Sequence, residues 1–133
     1  MQTRTRRRIP AVLLALAPVL ALGAPLGAAV AEPSVMRVVV VEAVDAKEFR
    51  HELDKLLALE RTVVPEASIR VWRARFAGAD TGTLIVAAEV PSLAALAKID
   101  EFGKQNGEFA ATMRRLTAMT RVISDSLYEE ITH

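Results

Sequence analysis

The stretch RVWRARFAGADTGTLIVAAEV, Arg70 to Val90, reads as a half-buried hairpin, and the rest of the chain is placed around it. Its first arm, Ser68–Phe76, alternates apolar residues with Arg70, Arg73 and Arg75. Its second, Thr83–Val90, is apolar apart from Thr83 and Glu89. Between them Gly78-Ala79-Asp80-Thr81-Gly82 carries turn chemistry, with glycines for positive φ and an aspartate that bonds its own backbone. A mixed arm beside an apolar one means an edge strand paired with a central strand.

Working outward, Val35–Val44 is rich in β-branched residues and predicts a strand. Asp45-Ala46-Lys47-Glu48 is a capping box that opens a helix, on which Phe49, Leu53, Leu56 and Leu57 form one apolar face. Pro65 marks the end of that segment. After the hairpin, Pro91-Ser92 stops the strand and caps a second helix from Leu93. GKQNG, Gly103 to Gly107, breaks or kinks it before Phe109, Met113 and Leu116 resume the helical spacing to about Met119. Arg121–Ile131 is the last strand. The order is β-α-β-β-α-β. Two right-handed strand-helix-strand crossovers predict an α+β, ferredoxin-like fold, a four-stranded antiparallel sheet with both helices on one face. The first and third strands are then central, which suits their apolar runs, and the second and fourth are edges.

Centring the turn near Asp80 sets Trp72 opposite Ala88, Ala74 opposite Val86 and Phe76 opposite Leu84 on the helix-packed face. Trp72 is thereby expected to be a core aromatic. The open face receives Arg73 across from Ala87 and diagonal to Glu89, and Arg75 across from Ile85. With the first strand read as parallel to the third, Glu42 falls near Glu89, and Ser124, Ser126 and Tyr128 alternate onto the same face. Two readings of these charges stand side by side. They are exposed ion pairs of little energetic value, or they line a polar cavity under a second copy of the same face.

The 133 residues are 52% hydrophobic, enough for one domain with its own core. The net charge of +1 is uneven. Residues 1–31 carry four arginines and no acid; removing them from the 17 basic residues leaves 13 against 16 acidic ones. A domain with net charge −3 and no basic stripe is a poor partner for nucleic acid. Without cysteine there are no disulfides, no thiol catalysis and no thiolate metal site, and two histidines cannot make a three-histidine one. No P-loop, dinucleotide fingerprint or Gly-x-Ser-x-Gly elbow occurs, so neither metal nor cofactor is expected.

MQTRTRRRIPAVLLALAPVLALGAPLGAAVA, residues 1–31, has the basic start, apolar middle and Ala29-Val30-Ala31 end of a secretory signal. Cleavage there leaves Glu32 first and one domain over residues 32–133, exported to a bacterial periplasm or beyond. Thr5-Arg6-Arg7-Arg8-Ile9 is similar to a twin-arginine export signal. A retained membrane anchor is the alternative.

The element order, and the stretch FAGADTGTLIVAAEVPSLAALAKID with its turn, apolar strand and helix start, resemble the dimeric α/β-barrel superfamily. The chain is similar to small bacterial proteins related to antibiotic-biosynthesis monooxygenases and NIPSNAP-type domains. That resemblance covers Met36 to about Ile131. It implies a homodimer, with a pocket between each subunit's sheet and helices or inside the barrel. Haem-degrading members resemble one another in a first-strand Asn and a helical His; here the first strand has no Asn and the second helix no His. Two functions are expected on this basis. The first is an exported homodimer binding a small apolar or aromatic ligand, with Arg73, Arg75, Glu89, Glu42, Ser124 and Ser126 as binding residues. The alternative is a cofactor-independent monooxygenase or isomerase, with Arg73 holding an enolate and Tyr128 or His51 moving a proton. His51 lies off the apolar stripe and reads first as a solvent-facing histidine, and Tyr128 first as a plain edge-strand residue.

Overall fold

The computed structural model describes residues 31–131. The expected signal segment, apart from Ala31, lies outside the described residues. The elements are β1 (Val35–Ala43), α1 (Ala46–Glu60), β2 (Ser68–Arg73), β3 (Leu84–Val90), α2 (Leu93–Gln105), α3 (Gly107–Ala118) and β4 (Thr120–Glu129). The sheet order is β2-β3-β1-β4, with every pairing antiparallel, so the apolar strands are central and the mixed ones are edges. The ferredoxin-like α+β class is therefore as expected.

The helix starts follow from single side chains. Asp45 Oδ1 accepts the Lys47 and Glu48 amides at 2.8 and 3.0 Å, and Ser92 Oγ accepts the Ala95 amide at 3.1 Å. The second helix divides at the GKQNG stretch. Asn106 leaves helical geometry, its amide donates to the Phe102 carbonyl to end α2, and its Oδ1 accepts from the Phe109 amide at 2.9 Å to start α3. Phe102 and Phe109 meet edge to face across this break, 6.0 Å between ring centres.

Three expectations about strand pairing are corrected. First, β1 runs antiparallel to β3. A strand-helix-strand crossover returns β2 parallel to β1, so β3, the hairpin partner of β2, must oppose both. Met36, not Glu42, is the partner of Glu89, and Glu42 lies at the far end of the strand, paired with Arg121. Second, the hairpin register differs by three residues: Trp72 faces Ile85, Val71 faces Val86 and Arg73 faces Leu84. An odd slip reverses both faces of a strand. Trp72 is consequently not a core aromatic but about half exposed (48%) on the face away from the helices. Third, β2 ends at Arg73, and the connection is longer than the glycine-bounded turn. It contains a 3-10 turn at Gly78–Asp80, with Gly78 and Gly82 at φ +58° and +95°. The Ala74 amide donates to the Thr83 carbonyl and the Gly82 amide to the Ala74 carbonyl, both at 2.9 Å, which centres the loop before Asp80 and closes it in the observed register.

The helix-packed face holds Ile69, Leu84, Val86 and Val41 against Phe49 and Leu53. A second cluster joins Val35, Val90, Val64, Ala67, Ala95 and Ile99 at the other end of the sheet. α1 and α3 are tied by a buried carboxylate: Glu52 Oε2 accepts from Arg115 Nε at 2.8 Å, and Oε1 from Lys55 Nζ at 2.6 Å. These donors hold the Glu52 carboxyl below its ordinary range. Arg115 also donates to the fully buried Thr112 hydroxyl at 3.0 Å.

Two helical glycines separate packing from propensity. A Cβ on Gly103 would sit 2.6 Å from the Phe109 ring, whereas one on Gly107 meets nothing within 4 Å. Gly103→Ala is expected to lower the unfolding free energy by about 1–3 kcal/mol through overpacking. Gly107→Ala should raise it by up to about 1 kcal/mol through helix propensity. Urea unfolding of the two variants reads both signs.

Candidate functional site

The two core clusters do not meet across the whole sheet. Between them, and between the sheet and the three helices, lies a cavity of about 360 Å3. Its floor is Val35, Val39 and Val41 of β1, Val86 and Ala88 of β3, and part of β4; its roof includes Phe49, Leu53, Leu96, Phe109 and Met113. The volume is in the range that holds a small organic ligand.

Four charged residues interrupt the apolar lining: Arg37 on β1, Glu60 at the end of α1, Asp100 on α2 and Asp125 on β4. The β4 pair is a product of irregular geometry. The β1–β4 register shifts between Val40 and Val41, leaving Ile123 as an extra residue. Such a bulge re-aims the side chains beyond it. Val122 faces the cavity before the bulge, and Asp125 and Leu127 face it after, while Ser124, Ser126 and Tyr128 pass to the open face.

Arg37 Nε donates to Asp125 Oδ1 at 2.8 Å, and its terminal nitrogen to Oδ2. This two-pronged pair holds the Asp125 carboxyl below its usual range and raises the Arg37 guanidinium. The pair sits at the mouth, about half exposed (51% and 40%). Glu60 differs. Burial in the cavity wall pushes its carboxyl up to about 7, against which the Arg37 charge acts only in part. Among the described residues no side chain hydrogen-bonds to the Glu60 carboxylate; its shift has only these two causes.

The residues selected from sequence fall elsewhere. None of Arg73, Arg75, Glu89, Glu42, Ser124, Ser126, Tyr128 or His51 lines this cavity. Arg73, expected on the open face, has the phase of Ile69 and Val71 and ends β2 exposed at the rim of the opposite face. Arg75, expected opposite Ile85, lies in the exposed connection beyond β2. Glu42 is engaged by Arg121 at 2.7 and 2.9 Å instead of sharing a site with Glu89. Glu89, Ser126, Ser124 and Tyr128 do share the open face, with Met36, Ile85 and Trp72. His51 is exposed on α1. The four charged residues of the cavity carried no motif. Only the odd position of Arg37 in a run of valines, and of Glu60 after an apolar helix face, set them apart. No group of three or more His, Asp or Glu side chains placed to hold a metal occurs among the described residues.

No protein-family model matches the sequence, and no curated protein matches it either. Solved structures do share its fold. SnoaB, a cofactor-independent oxygenase from Streptomyces nogalater, superposes with a TM-score of 0.58 at 14% identity, over 76% of this chain and 96% of that one. A conserved protein from Methanosarcina mazei Go1 gives 0.56 at 12% identity, over 76% and 96%. A NIPSNAP family protein from Agrobacterium tumefaciens str. C58 gives 0.51 at 12% identity, over 77% and 88%. The chain has the fold of the oxygenase and NIPSNAP proteins that its hairpin and element order resemble.

The raised Glu60 pKa has a signed consequence. The carboxyl is neutral in both states below its unfolded value near 4.5 and ionised in both above about 7. In between the unfolded chain gives up its proton first, so stability is lost as pH rises through that window. The full shift corresponds to on the order of 2–4 kcal/mol. Glu60→Gln is expected to remove that loss, leaving the opposite-signed contributions of Asp125, Asp45 and Glu52 common to both proteins. Urea unfolding at pH 5 and pH 8 should show the difference as a gap that opens toward alkaline pH.

Proposed function

We propose that the chain is an exported protein that binds a small apolar or aromatic ligand between its sheet and helices, and that it works as a homodimer. The observation that carries the binding reading is the 360 Å3 cavity, walled by valine, leucine and phenylalanine with one cluster of charged residues. The reading takes the helix side of the sheet, one of the two positions implied by the sequence resemblance, as the pocket, because this cavity lies there. The dimer reading rests on the other face, where Met36, Trp72 and Tyr128 are 37%, 48% and 52% exposed beside Val38, Val40 and Ile85. Pairing two such faces buries aromatic and aliphatic surface and leaves Glu89, Ser124 and Ser126 to bond within or across copies. Export rests on the signal-like residues 1–31.

A second reading, a cofactor-independent monooxygenase or isomerase, is favoured by one observation. Glu60 is a carboxyl with a pKa near 7 facing an apolar cavity, as a residue that takes up and returns a proton at neutral pH must be. The Streptomyces nogalater oxygenase of the same fold is consistent with it. Fold alone does not carry activity, and binding is the reading adopted.

Thermal unfolding with naphthalene-sized compounds tests binding. A ligand at about 100 times its Kd should raise Tm by on the order of 10 °C. Val122, 57% exposed at the cavity's β4 wall, can be enlarged without disturbing the core. Val122→Trp is expected to abolish the ligand-induced shift while leaving the ligand-free Tm within a few degrees. Trp72, the only tryptophan in the chain, reports on pairing. Its emission should move to the red on dilution as light scattering shows the mass falling from two chains to one; a single-chain mass at tens of micromolar would overturn the dimer.

A further inference from the structure

The charges around the cavity say what kind of ligand completes it, given the binding reading above. Four charged residues from four elements face it: Glu60 of α1, Asp100 of α2, Asp125 of β4 and Arg37 of β1. The remaining polar residues of the lining are Thr117 and Thr120, whose hydroxyls donate to the Met113 and Leu116 carbonyls. Three carboxylates therefore face one cation. That cation is spent: Arg37 gives Nε and a terminal nitrogen to the two oxygens of Asp125. Neutralising Asp125 in this way leaves Glu60 and Asp100 without a counter-charge of their own. Asp100 is exposed to water. Glu60 is the most deeply placed of the four, and among the described residues nothing donates a hydrogen bond to it.

Glu60 is half-buried, and a carboxylate partly withdrawn from water without a donor carries a desolvation cost, so a cation brought to it recovers both the charge and the hydrogen bonds. We infer that the cavity takes a ligand with a cationic nitrogen, seated against the Glu60 carboxylate, whose apolar or aromatic body lies between sheet and helices. A neutral ligand leaves Glu60 unpaired. An anionic one meets three carboxylates and an arginine already engaged. Binding of such a cation also favours the ionised Glu60, so its affinity rises with pH through the range in which Glu60 loses its proton, until the ligand's own nitrogen deprotonates.

The test uses three compounds of one shape: 2-naphthylmethylamine, 2-naphthylmethanol and 2-naphthoate, titrated calorimetrically into the full chain. At pH 8 the amine is expected to bind about tenfold or more tightly than the alcohol, and the carboxylate most weakly. Between pH 8 and pH 5.5 the amine should lose about tenfold in affinity and the alcohol nothing. Glu60→Gln should bind amine and alcohol alike, and its unchanged affinity for the alcohol shows that it is folded. In wild type, an alcohol that binds as tightly as the amine, or an amine whose affinity ignores pH, overturns the inference and leaves the binding reading intact. Tightest binding by the carboxylate also overturns it and makes Arg37 the anchor. If none of the three binds, the binding reading fails and this inference with it.

Discussion

Everything in this fold depends on one sheet face being buried under α1 and α3. Ile69, Leu84, Val86 and Val41 lie against Phe49, Leu53 and Leu116. Each such side chain contributes roughly 1.5–3 kcal/mol when it leaves water, against a conformational entropy cost of similar total size. The constraint is geometric as well as energetic. Three helices do not fully cover four strands, and β4, the last strand, is the one left short. Val122 and Leu127 point to the helix side yet stay more than half exposed, at 57% and 53%. The cavity is the space between the two clusters that this partial cover leaves.

Partial cover also accounts for the charges. A salt bridge midway under the helices would bear the full desolvation cost of both ions. Arg37 and Asp125 avoid it by sitting at the mouth, half wet and doubly hydrogen-bonded. Glu60, half-buried, avoids it only in part. Its position at the end of α1 is set by the helix packing that buries Leu56 and Leu53 one and two turns earlier. A carboxyl held there by packing, with no side-chain donor among the described residues, is an apt place for a ligand's polar atom. Glu52 shows the contrast on the same helix: also a glutamate and more buried, it is satisfied by Lys55 and Arg115, which hold its carboxyl below the ordinary range, and serves to join α1 to α3.

Much of the architecture could be read in the letters because local signals agreed with one another. The Asp45 and Ser92 caps, the GKQNG break resolved at Asn106, and the contrast between apolar central and mixed edge strands each have a local cause. The candidate site could not be read in the same way. In the hairpin, Val71 and Trp72 are both apolar, as are Ile85 and Val86, so two registers of opposite phase satisfy the same pattern. The loop geometry around Gly78 and Gly82 chooses between them and sends Trp72 outward. Val38 to Val41 are all valine and carry no phase at all, so the side on which Arg37 falls was invisible. The bulge at Ile123, which brings Asp125 to Arg37, has no sequence mark of its own.

The sequence by itself therefore determined the order of elements, the helix starts and breaks, and which strands are central, because capping, helical periodicity and strand composition are short-range effects. Only the tertiary structure decided which face each strand residue takes, where the cavity opens and which charges meet in it. Those depend on register, and in a β-strand one residue of register exchanges the buried side for the exposed one.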